Sequence, residues 1–69
     1  MSVSKAVELF GSGASVEDAI QVALDRALTT LEDVTGFEVD QIAGEFDGAR
    51  PVFRVRLRVW FTLRERIHG

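Results

Sequence analysis

Val52-Phe53-Arg54-Val55-Arg56-Leu57-Arg58-Val59-Trp60-Phe61-Thr62-Leu63 is the stretch whose reading decides the fold. From Phe53 to Leu63 every odd position holds a large apolar residue, and Arg54, Arg56, Arg58 and Trp60 fill even ones. A period of two in β-branched and aromatic residues marks a strand with one buried and one polar face. At about 3.3 Å per residue the run reaches roughly 40 Å, long for a small domain.

The segment Phe37 to Glu45 reads as its hairpin partner, joined through Phe46-Asp47-Gly48-Ala49-Arg50-Pro51. A two-residue Asp47-Gly48 turn would set Val39 against Arg56 and Phe37 against Arg58, mixing the two faces. A loop one residue longer sets Phe37 opposite Val59, Val39 opposite Leu57 and Ala43 opposite Phe53. It also brings Glu38 to Arg58 and Asp40 to Arg56. Because a one-residue slip inverts every side chain, this second register is the expected one. It requires Pro51 at the strand's start, where a missing N–H is tolerated. It leaves Arg54 opposite Ile42 with no local counter-charge, and Trp60 opposite Gly36.

Towards the N-terminus, Val3 to Phe10 reads as a further strand, half apolar on both faces. Gly11-Ser12-Gly13-Ala14 reads as its end, with glycines free to take positive φ. Ser15 caps a helix whose first turn carries Glu17 and Asp18. Val16, Ile20, Ala23, Ala27, Leu31 and Val34 recur at helical spacing, so the helix is expected to run from 16 to about 33. Such a helix is about 27 Å long, too short to cover the strand opposite it. The fold class is α+β, a β-α-β-β subunit: one helix packed on a three-stranded antiparallel sheet with the last strand central. Residues 1–69 make one domain, and Arg64 to Gly69 reads as a polar tail.

Composition narrows the function. Sixty-nine residues without a cysteine have neither disulfide nor thiolate metal site to reinforce a small core, so self-association is expected. No apolar run resembles a signal peptide or a membrane span, which points to the cytoplasm. The net charge is −3. Residues 1–49 hold two basic and ten acidic side chains, and residues 50–69 hold six basic and one acidic. The two segments are therefore expected to pair with each other rather than with nucleic acid. The single histidine, His68, lies in the tail. There is no phosphate loop and no nucleophile motif, and Glu8, Glu17, Glu38 and Asp40 lack calcium-loop spacing. An enzyme is not expected. Arg54 and Trp60 remain as binding candidates, a cation without a partner and a ring beside a glycine, with burial of Trp60 in a subunit interface as the competing reading.

The order of these elements, with Lys5, Val7-Glu8-Leu9-Phe10-Gly11-Ser12, Ser15-Val16-Glu17-Asp18-Ala19, Ala27, Thr30, Phe37-Glu38-Val39, Asp47-Gly48, Val55 to Phe61 and Leu63, resembles the dodecins. The resemblance covers nearly the whole chain. It implies a hollow homododecamer that binds a flavin, riboflavin or FMN, in stacked pairs between subunits, as a non-catalytic store. It also implies departures at the ligand site. The family's stacking tryptophan would fall at Gly36 and its flavin-bonding glutamine at Arg54; arginines near a nucleotide phosphate would fall at Ala43 and Thr62. Trp60 stands where a small residue is common. The expected ligand-binding residues are thus Gly36, Arg54 and Trp60, the indole moved one strand over. The alternative is a shell that has lost flavin binding and keeps a structural or ion-binding role.

Overall fold

In a computed structural model, which describes residues 2–64, the chain runs β1 (Ser2–Gly13), α1 (Val16–Thr30), β2 (Val34–Asp47) and β3 (Arg50–Arg64). The three strands form one antiparallel sheet in the order β1-β3-β2, with the alternating Arg/apolar strand in the middle. Residues 65–69, most of the expected tail and His68 with it, lie outside the described residues.

Alternation along β3 works as its sequence predicts. Val55, Leu57 and Val59 are fully buried beneath the helix, where Ala19, Ala23 and Ala27 meet them with no exposure at all. Alanines at four-residue steps give the helix a flat, small-residue stripe, which allows close approach to the sheet. Val7 and Leu9 of β1 pair with Val59 and Leu57 and join this layer.

Close approach also explains Gly11 and Gly13. They continue β1 as extended residues, paired with Val55 and Phe53, instead of ending it with positive φ. A β-carbon at Gly11 would collide with the Ala19 carbonyl oxygen and lie 3.0 Å from Ala23 N. At Gly13 it would lie 2.8 Å from Ala19 N. The glycines are needed because the helix backbone passes over them.

Ser15 caps the helix as expected, its Oγ accepting from Asp18 N at 3.1 Å. The helix stops three residues before the expected end. Thr29 and Thr30 turn their hydroxyls back onto Asp25 O and Arg26 O, a competition that weakens helical continuation. Leu31 is already extended, and Asp33 takes φ 54° to turn the chain into β2. Leu31 and Val34 still pack against the core, from outside the helix.

The β2–β3 register is half as expected. Gly36, Phe37, Glu38 and Val39 pair with Trp60, Val59, Arg58 and Leu57. Beyond a β-bulge at Asp40 the pairing shifts by one: Gln41 pairs with Arg56, Ile42 with Val55, Ala43 with Arg54 and Gly44 with Phe53. Ala43 opposite Phe53 and Ile42 opposite Arg54 are therefore corrected. The turn is a two-residue one at Gly48-Ala49, with Gly48 at φ 64°, so Asp47 pairs with Arg50 and Pro51 with Phe46.

By itself the chain is a poor globule. Its extents are 60 × 18 × 13 Å and its radius of gyration is 15.1 Å. A compact chain of this length has a radius of about 11 Å. The helix leaves β2 bare: on the helix side Phe37, Val39, Ile42 and Phe46 are 48, 37, 56 and 78% exposed. The expectation that one helix cannot cover the apolar face is met.

Candidate functional site

The face of the sheet opposite the helix carries the even residues of β3. Across it, Glu8, Phe10 and Ser12 of β1 are on one side, and Glu38, Gln41, Ala43 and Glu45 of β2 on the other. Arg54, Arg56 and Arg58 are each held by a carboxylate. Arg56 places both Nε and Nη2 at 2.8 Å from Asp40 Oδ2, with Glu8 Oε2 3.6 Å from Nε. Arg58 Nη1 lies 3.7 Å from Glu38 Oε1. Both pairings expected from the sequence therefore form, although Asp40 reaches Arg56 from a bulge rather than from the ladder.

Arg54 departs from expectation. Its Nη1 meets Glu45 Oε1 at 2.6 Å, so its charge is not locally uncommitted. With Arg54, Arg56 and Arg58 each paired, the middle of β3 presents no run of unpaired arginines of the kind that tracks a single-stranded nucleic acid.

Trp60 is partly exposed on the same face, between two small ladder partners, Ala6 on β1 and Gly36 on β2. The indole does not fold over the glycine: a β-carbon placed at Gly36 meets nothing within 4 Å. Thr35, extra in a second bulge, donates its hydroxyl to Trp60 O at 3.3 Å and ties this end of β2 to β3.

Gly36 and Trp60 are thus cross-strand neighbours, but Arg54 is not with them. It lies six residues back along β3, about 20 Å for extended chain. Around Arg54 is a cavity of about 210 Å³ lined by Phe10, Gln41, Ala43, Arg54, Val55 and Arg56. That is below the roughly 300–1,000 Å³ usual for a ligand pocket. Phe10 and Gln41 were not among the residues expected from sequence. Phe10 was hidden by the ambiguity of β1, whose faces look alike until the helix selects one. Gln41 was hidden by the bulge. The signal for the bulge is present in β2: apolar residues step by two from Phe37 to Val39, then by three to Ile42.

Among the described residues no cluster of His, Cys, Asp or Glu is arranged to hold a metal ion. No helix among them is long and apolar enough to cross a membrane.

A family model described as Dodecin matches residues 3–64. An arginine-to-alanine variant of the T. thermophilus dodecin is 43% identical, with TM-score 0.86, covering 94% of this chain and 100% of its own. The dodecin from Streptomyces davaonensis is 29% identical, with TM-score 0.82, over 93% of this chain and 97% of its own. That from Streptomyces coelicolor is 28% identical, with TM-score 0.85, over 94% and 96%. No curated protein matches the chain.

Proposed function

The chain belongs to the dodecin family, and from that membership we propose that it is a non-catalytic flavin-binding protein, holding riboflavin or FMN in a hollow homododecamer. The observation that carries the proposal is the open face around Trp60. The indole stands between Ala6 and Gly36, with free space where a Gly36 side chain would be. A partly exposed ring beside empty space suits stacking on a flat heteroaromatic ligand. In this reading Trp60 replaces a stacking ring absent at Gly36, and Arg54 hydrogen-bonds or charge-pairs the same ligand.

Because Trp60 and Arg54 are about 20 Å apart on one strand, one flavin meets both only where two copies come together. The bare apolar row on β2 supports such assembly. A 69-residue chain whose fully buried side chains among the described residues are three alanines, two valines and a leucine has little core of its own, and covering that row with another copy enlarges it.

The test is titration of riboflavin and FMN followed by flavin fluorescence. Quenching that is lost in Trp60→Ala is the expected result. Absence of binding by the wild-type protein at tens of micromolar overturns the flavin reading and leaves a shell with a structural role. Sedimentation decides the assembly separately: a stable 7.6 kDa monomer refutes it.

A further inference from the structure

Phe10, Arg56 and Gln41 form one row across the open face, on β1, β3 and β2 respectively. Of the large apolar side chains exposed on the strands among the described residues, Phe10 alone points away from the helix side; at 57% exposure it borders the cavity around Arg54. Gln41 borders the same cavity from the other flank, and its amide has no hydrogen-bond partner among the described residues. Between them, Arg56 is clamped by Asp40 and Glu8, and Ala43 leaves room. The row therefore combines an exposed ring, an unused amide and a cation whose position is fixed.

An amide offers a carbonyl acceptor and an NH₂ donor side by side. Its complement is an imide edge, an N–H next to a C=O, as in an isoalloxazine or a uracil-type pyrimidine. The phenyl ring offers a π-face to the plane of the same heterocycle. We infer that Phe10 and Gln41 form the recognition part of the ligand site beside Arg54, Phe10 stacking on a planar heteroaromatic and Gln41 reading its imide edge. The inference rests on the flavin reading above and names two residues that reading did not include. Trp60, four residues from Arg56 along β3, lies outside this cavity, so the two rings serve different levels of the face.

The experiment compares riboflavin with N3-methylriboflavin, which lacks the imide N–H, on wild type, Phe10→Leu and Gln41→Leu, by flavin fluorescence. Phe10→Leu keeps apolar bulk without the ring and is expected to weaken riboflavin binding about tenfold. Gln41→Leu is expected to weaken it by a similar factor, about tenfold. N3-methylation should cost the wild type that factor and cost Gln41→Leu nothing. Sedimentation of each variant checks that the assembly persists; if Phe10→Leu disturbs it, the methylated ligand on wild type and Gln41→Leu still decides. Wild-type binding with both variants within roughly twofold overturns this inference and leaves the flavin reading standing. So does an equal methylation penalty in wild type and Gln41→Leu. Failure of the wild type to bind riboflavin overturns both.

Discussion

Arg54 Nη1 lies 2.6 Å from Glu45 Oε1, although the ladder pairs Arg54 with Ala43 and Glu45 with Val52. This diagonal contact exists because of the bulge at Asp40. Without the extra residue, Glu45 would stand opposite Pro51 and point to the helix side. With it, Gln41, Ala43 and Glu45 face the arginines, and Ile42 and Phe46 turn to the apolar side. One inserted residue thus sets both the lining of the cavity and the row available for assembly.

Glu45→Gln should leave stability nearly unchanged and alter ligand choice. Both partners are 57% exposed, so the pair contributes at most about 0.5 kcal/mol after solvent screening. Releasing the Arg54 charge should raise the FMN-to-riboflavin affinity ratio roughly threefold at low salt, an advantage that high salt removes. Titrations at two ionic strengths measure it, and an unchanged ratio would place Arg54 away from the phosphate.

Gly11→Ala and Gly36→Ala should separate cleanly. The first forces a β-carbon into the Ala19 carbonyl, backbone that cannot rotate away, and is expected to cost about 3 kcal/mol. The second meets open space and should be neutral or slightly stabilising, by about 0.5 kcal/mol, because glycine is a poor strand residue. Thermal or urea denaturation of the two variants gives the comparison. Equal losses would mean that the helix does not pass over Gly11 as described.

Ile42→Asp should dissociate the proposed assembly. Ile42 is 56% exposed in one subunit, on the helix side beside Phe37 and Val39, so a carboxylate there costs the free subunit little. In an interface that covers the row, a buried unpaired carboxylate costs several kcal/mol. Sedimentation velocity reads the outcome; an intact oligomer would show that this row is not covered by another copy.

Ser15→Ala should cost about 1 kcal/mol through loss of the Oγ cap on Asp18 N, with affinity for flavin unchanged. Circular dichroism melts together with one titration test this, and a large affinity loss would couple the helix start to the site.

Most of the architecture was legible in the sequence because it follows local rules. Period two in residues 53–63 marks β3 and its buried face, helical spacing with Ser15 marks α1, and the opposed charges of residues 38–40 and 56–58 bring β2 to β3. The order of strands and the shortfall of one helix follow from lengths and apolar faces. What sequence spacing did not determine depends on contacts between distant segments. Gly11 and Gly13 read as a break and are extended strand, because the demand on them comes from a helix backbone overhead. The turn moved to Gly48-Ala49, and the register of residues 41–47 shifted, because a bulge is stabilised by the whole ladder rather than by the residue that forms it. Phe10 and Gln41 acquired their place only there. Side-chain chemistry and strand periodicity marked Trp60 and Arg54 as candidates about 20 Å apart on one strand, whereas the packed sheet alone decided which residues stand beside each.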